Sequence, residues 1–214
     1  MLTLLEMHGI SKRFGATQAL KDVDFSVNRG EVVGLLGENG AGKSTLIKVL
    51  AGVHQKDSGT ILIDSKPVAI HSPADSQRLG IAVIYQELNL TPNQTVAENV
   101  FLHQPQLQAG VLGKLGFVDG RRRERATRAL LAQLGITGLD PNRKVGELSV
   151  AFQQLTEIAK ALAFDARLIV MDEPTSALPD EEVRHLFEIV RRLRDRGLGV
   201  VFVSHRLNEV REIC

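Results

Sequence analysis

The chain has 214 residues, enough for one large domain or a domain with a subdomain. Its 43% hydrophobic and 24% charged content is ordinary for a globular protein, and a net charge of +1 argues against bulk electrostatic attraction to nucleic acid or anionic lipid. The one cysteine, Cys214, excludes an internal disulfide. No apolar run approaches the roughly 20 residues of a membrane span, and MLTLLEMHGI lacks the charged and long apolar regions of a signal peptide. These features point to the cytosol, with no nucleic-acid partner and with membrane association only through another protein.

In chain order, LLEMHGI and ALKDVDFSVN read as strands, the second with apolar positions at Leu20, Val23, Phe25 and Val27. Asn28-Arg29-Gly30 reads as a turn. EVVGLLG is a short buried strand that runs through ENGAGKS into TLIKVLAG, which has helical spacing and stops at Gly52. GTILIDSKPVAIH predicts a hairpin with Asp64-Ser65-Lys66-Pro67 at its turn. IAVIYQ, residues 81–86, is another buried strand. TVAENVFL predicts a short helix, residues 103–118 a loop, and FVDGRRRERATRALLAQLGI a helix from near Asp119 to Gly135 with Ala126, Leu130 and Leu134 on its apolar face. The arginines at its start read as solvated first turns. Residues 149–164 form a second strong helix. Then RLIVMDEP reads as strand, DEEVRHLFEIVRRLRDRG as amphipathic helix, LGVVFVSH as strand and RLNEVREI as a last helix. The order predicts an α/β core at both ends with a helical insertion at about 90–165.

One stretch fixes the chemistry class. Gly37-Glu38-Asn39-Gly40-Ala41-Gly42-Lys43-Ser44-Thr45 matches G-x-x-x-x-G-K-[ST] between a strand and a helix. Its glycines permit a loop whose N–H groups turn inward as a nest for phosphate oxygens, and the helix N-terminus adds partial positive charge. Lys43 supplies a cation for β- and γ-phosphates, and Ser44 a hydroxyl for Mg²⁺. RLIVMDEP carries Asp172 and Glu173 to a strand's carboxyl end, where ligands of parallel sheets lie. Asp172 is placed to hold Mg²⁺, directly or through water, and Glu173 to reach a water in line with the γ-phosphate. A lone acidic pair would read as a helix cap; beside a phosphate loop it reads as catalytic. No [NT]-K-x-D guanine-reading motif accompanies the loop, which argues against a GTPase.

Taken together, GENGAGKST, Gln86 in VIYQELNL, LSVAFQQ, MDEPTSAL and His205 in VFVSHRL resemble the ordered motifs of an ABC transporter nucleotide-binding domain. The resemblance covers nearly the whole chain. It implies an α/β fold: a P-loop NTPase core with an N-terminal antiparallel β subdomain and a helical subdomain. It makes 1–214 a single nucleotide-binding domain, with 1–90 and 165–214 the ATP-binding core and 91–164 the helical subdomain. Gln86 takes the family's Q-loop position, as a catalytic and Mg²⁺-contacting group, and His205 that of its switch histidine. Phe14 stands where the family carries an adenine-stacking aromatic; core packing is the competing reading for that residue. IYQELNLTPNQTVAENVFL, QLTEIAKAL and the stretch from DEPTSAL to SHRLNEV are similar to the monosaccharide-importer ATPases of the ribose, xylose, arabinose and galactose group, in their first nucleotide-binding half. On that comparison the chain stops early, because the family's domain continues past the switch histidine.

The resemblance further implies ATP and Mg²⁺ as ligands, and a head-to-tail pairing with a second nucleotide-binding half or an identical subunit. It also implies transmembrane permease subunits, an indirect link to a sugar-binding protein, and a peripheral location on the inner face of the membrane. Two other expectations compete: an ATP-binding regulatory half that hydrolyses poorly, and a non-transport ABC ATPase. The first rests on LSVAFQQ. The family pattern is L-S-G-G-Q, and Ser149, Val150 and Ala151 would cap the partner's ATP. If Ala151 must adopt positive φ, it carries strain of about 1–2 kcal/mol, and the cap is weak.

Overall fold

The computed structural model describes residues 2–38, 40–102, 104–108 and 117–214. In chain order its elements are β1 (Thr3–Phe14), β2 (Thr17–Asn28), β3 (Val32–Leu35), α1 (Lys43–Leu50), β4 (Ser58–Ile63), β5 (Lys66–Val68), α2 (Pro73–Arg78) and β6 (Ile81–Ile84). There follow α3 (Val96–Val100), α4 (Gly120–Leu134), a 3₁₀ turn (Val145–Glu147), α5 (Val150–Ala163), β7 (Leu168–Asp172), α6 (Asp180–Asp195), β8 (Gly199–Val203) and α7 (Leu207–Ile213). The fold is mixed α/β and separates into two compact units. One holds Met1–Gln86, Ala166–Ser176 and Val190–Cys214; the other holds Glu87–Asp165 and Ala177–Ile189.

The first unit contains both sheets. An antiparallel sheet runs in the order β2-β1-β4-β5, and a parallel sheet in the order β3-β8-β7-β6. The β4–β5 turn is confined to Asp64 and Ser65, both at positive φ (50° and 59°), the backbone a two-residue hairpin needs; Lys66 and Pro67 already pair in the ladder. β8, and β7 as far as Met171, are uninterrupted apolar runs because both of their faces are buried. Alternate residues Leu168, Val170, Val201 and Val203 join Leu5, Met7, Val27, Ile61 and α1's Leu46 and Ile47 in one core. Each such buried side chain contributes about 1.5–3 kcal/mol. β3 must carry Gly34, since a Cβ there would stand 2.4 Å from Val210 Cγ1 of α7. The glycine lets the helix lie flush on the strand.

The sequence reading missed α2, although its signals are present: Ser72 caps it by accepting from Asp75 N–H, and Pro73 opens it. The strand at 81–86 is shorter than its apolar pattern and ends at Ile84, so Gln86 lies two residues beyond it.

The second unit is helical. Thr95 and Glu98 form a reciprocal capping box at α3. The buried Asn99 amide ties down the approach to it, accepting from Thr91 N–H (2.7 Å) and donating to the Thr91 and Thr95 carbonyls (3.1 and 3.0 Å). α4 runs from its Asp119 cap to Gly135 in left-handed conformation. Its buried stripe is Thr127, Leu131 and Leu134, one step round from the expected Ala126, Leu130 and Leu134, which leaves Ala126 and Leu130 half-buried. In the segment expected to be a loop, Leu107 and Val118 form a bridge; residues 103 and 109–116 lie outside the described residues. α6 belongs to this unit through Ile189 and to the first from Val190. Among the described residues no helix is long and apolar enough to cross a membrane.

Candidate functional site

The parallel register assembles the site. Leu35 of β3 stands opposite Val203 of β8, Asp172 of β7 opposite the same Val203, and Ile84 of β6 opposite Met171. The segments leaving these strands therefore emerge along one edge in the order Gly37–Thr45, His205, Asp172-Glu173, Gln86. This is the carboxyl edge, the usual ligand side of an open parallel sheet.

Gly40 and Gly42 take positive φ (87° and 92°), and Gly42 is the N-cap of α1 with no side chain to cap it. The amides of Lys43, Ser44 and Thr45 thus head a helix without intrahelical acceptors. Gly42 also has no room for more: a Cβ would meet the Ala19 carbonyl oxygen at 2.7 Å and Leu20 Cδ2 at 3.0 Å. At Gly40 the space is open. Lys43 folds back over the loop, its Nζ donating to the carbonyls of Gly37 (2.5 Å) and Glu38 (3.0 Å). Ser44 and Ala41 are exposed, and Thr45 is half-buried. Asn39 lies outside the described residues.

Across the edge, Asp172 is half-buried. Burial, and secondarily the Glu173 charge, pushes its carboxyl above the usual aspartate value, while Lys43 and Lys48 pull the other way. Glu173 holds a left-handed backbone (φ 48°), unusual for a side chain of its kind, and its N–H donates to the Val203 carbonyl at 3.1 Å. Its carboxylate meets His205 Nδ1 at 3.1 Å. The imidazole is exposed and the carboxylate largely shielded. Gln86 is exposed. Phe14, at the end of β1, is 42% exposed, so it is not a core residue; its ring meets His54 edge-on at 5.0 Å, with Lys12 Nζ 5.4 Å from its centroid.

In the second unit, Ser149 caps α5 by accepting from Phe152 N–H at 3.4 Å. Val150 is 45% exposed. Ala151 is the second helical residue and is not among the positive-φ residues. The left-handed strain considered for it therefore does not arise. Phe152 is half-buried, its ring end 3.8 Å from where a Cβ on Gly138 would stand.

The sequence profile of the family described as ABC transporter matches residues 20–176. The chain belongs to the ABC transporter family. Among curated relatives, it is 56% identical over its whole length to "Ribose import ATP-binding protein RbsA 1" of Rubrobacter xylanophilus and 52% identical over 99% of its length to the protein of the same name from Streptomyces coelicolor. It is 50% identical to a "Putative ribose/galactose/methyl galactoside import ATP-binding protein 2" of Agrobacterium fabrum. The chain spans about two fifths of the length of these ABC relatives (41%, 41% and 40%). Among solved structures, a nucleotide-free ATP-binding cassette from an ABC transporter matches with a TM-score of 0.84 at 30% identity, covering 99% of this chain and 85% of that one. The ADP conformation of MJ1267, an ATP-binding cassette of an ABC transporter, matches equally well, with TM-score 0.84 and 30% identity over 100% of this chain and 85% of that one.

Proposed function

We propose that this ABC domain binds and hydrolyses ATP to drive import of a monosaccharide of the ribose type. The observation that carries the reading is the common edge of the parallel sheet, where the Gly37–Thr45 loop, Asp172, and the Glu173–His205 pair at 3.1 Å emerge side by side. The loop amides and Lys43 hold the ATP phosphates; Lys43 exchanges its two carbonyl contacts for phosphate oxygens. Phe14 offers its exposed ring to adenine. The donor set of the Ser44 hydroxyl, Asp172 carboxylate and Gln86 amide is all oxygen and low in charge. It fits Mg²⁺, which is held by few protein ligands together with substrate phosphates and water. The ion would supply charge neutralisation at the phosphates.

Glu173 orients the attacking water by accepting a hydrogen bond from it, and His205, in contact with that same carboxylate, completes the shell around the γ-phosphate. Ser149 and the first-turn amides of α5, including those of Val150 and Ala151, face the ATP of a head-to-tail partner, either a second nucleotide-binding half or an identical subunit. Ala151 has right-handed geometry, which removes the backbone argument for a weakened cap. The relatives' names, ribose import and ribose/galactose/methyl galactoside import, support permease subunits as partners, a peripheral place at the inner membrane face, and a sugar as cargo. The test is uptake of labelled ribose and galactose by cells that lack the gene and are complemented with wild type or Lys43→Ala. Uptake restored by wild type alone supports the proposal; uptake with Lys43→Ala, or no dependence on the gene for any monosaccharide tried, refutes it.

A further inference from the structure

Glu173 and His205 sit on separate loops, after β7 and after β8. Behind them one buried carboxylate joins the two loops. Glu209, 8% exposed, accepts through Oε2 from Thr175 Oγ1 and from Ser204 Oγ, both at 2.8 Å. Its Oε1 accepts from Arg206 Nη1 at 3.1 Å. Ser204 Oγ in turn accepts from the Arg206 N–H at 2.9 Å. Thr175 and Ser204 are each 2% exposed, so their hydroxyls have this carboxylate in place of water. Thr175 is two residues from Glu173, and Ser204 adjoins His205. Glu209 is itself held firmly, because its helix α7 is seated on β3 by Val210 against Gly34.

We propose that Glu209 is a positioning residue: it locks the loop after β7 to the loop after β8 and so fixes the Glu173–His205 contact. The inference rests on the reading of that pair as the hydrolytic machinery. The chemistry requires a carboxylate. Two hydroxyls and a guanidinium all donate to it, and an ionised carboxylate accepts from all three. A glutamine of the same shape must turn its NH₂ either toward the hydroxyls or toward the guanidinium, so one side of the clamp loses its acceptor. Glu173 adds a reason for a clamp at this point, since a left-handed non-glycine residue persists only where its surroundings over-determine it.

The test measures ATP turnover and nucleotide binding in the whole encoded polypeptide. Glu209→Gln is expected to lower kcat by about tenfold or more while KM for ATP and the affinity for a fluorescent ATP analogue stay within about twofold. Thr175→Val and Ser204→Ala, which remove one tether each, are expected to give smaller losses of the same kind and keep the proposal testable if Glu209→Gln does not fold. In a His205→Ala background, Glu209→Gln is expected to cost less than about a further twofold, because it acts through the same contact. Losses that multiply in the double variant, or an unchanged kcat in all three single variants, overturn the positioning role and leave the hydrolytic reading standing. Unchanged turnover in both His205→Ala and Glu173→Gln overturns that reading and the inference with it.

Discussion

Replacing Gly42 by alanine separates what the phosphate loop needs from what the fold merely tolerates. The position has φ 92°, and an L side chain there costs about 1–2 kcal/mol. The added Cβ would also stand 2.7 Å from the Ala19 carbonyl oxygen and 3.0 Å from Leu20 Cδ2. Backbone oxygen cannot rotate away, so β2 or the loop must shift, an overpacking cost of about 1–3 kcal/mol. The sum, about 2–5 kcal/mol charged against the binding-competent loop, weakens ATP binding from about 30-fold to a few thousand-fold at 1.4 kcal/mol per decade. Gly40→Ala is the internal control. Its φ is 87°, but its Cβ meets nothing within 4 Å, so strain alone acts, about 1–2 kcal/mol or about 5- to 30-fold. Calorimetric titration of each variant with ATP and Mg²⁺ gives the two affinities, and thermal melting checks that each folds. Wild-type affinity in Gly42→Ala, or a greater loss in Gly40→Ala, refutes the reasoning.

Other outcomes follow from single contacts. Ala151→Gly has no backbone strain to relieve, so it is expected to lower stability through helix propensity by up to about 1 kcal/mol, seen as a lower thermal midpoint, and to leave ATP turnover unchanged; a several-fold rise in turnover would restore the weak-cap reading. Phe14→Ala, at a 42% exposed position, is expected to change stability by under about 0.5 kcal/mol. It should weaken ATP binding by about 1 kcal/mol through lost stacking, measured by the same titration. Glu98 is held below the usual glutamate value by the Thr95 N–H and, against the effect of burial, by the Thr95 hydroxyl and Arg123. Its contribution is therefore present above pH 4.5, the ordinary value, and is lost as the pH falls through its lowered pKa. Glu98→Ala is expected to lose about 1 kcal/mol at neutral pH, and denaturant melts should show the gap to wild type closing under acid.

What could be read from the sequence was local. Gly37–Thr45 is a contiguous pattern whose spacing carries its chemistry, and the ends of α4 are marked by Asp119 and Gly135, a cap acceptor and a left-handed glycine. β8, and β7 as far as Met171, show as apolar runs because both faces are buried. What could not be read depends on packing. The rotation of α4 that buries Thr127 and Leu131 in place of Ala126 and Leu130 is set by its neighbours, and a one-residue shift of stripe hardly alters the apolar period. The strand order β3-β8-β7-β6 places His205 between the phosphate loop and Glu173, and no periodicity encodes that order. The positive φ of Glu173 and Ala151's right-handed turn are likewise invisible in the residue names. Thr175 and Glu209 meet across 34 positions of sequence, and each alone reads as an ordinary helix-end or turn residue.

The central claim is that Glu173 orients water while the Gly37–Thr45 loop holds ATP. Steady-state phosphate release and ATP binding, compared between wild type and Glu173→Gln in the whole encoded polypeptide, test it most directly. The account predicts that Glu173→Gln lowers kcat by about 100-fold or more, the scale of a lost general base, while ATP is bound as tightly as by wild type or more so. Turnover within a few-fold of wild type, or loss of ATP binding with the folded state intact, would contradict it.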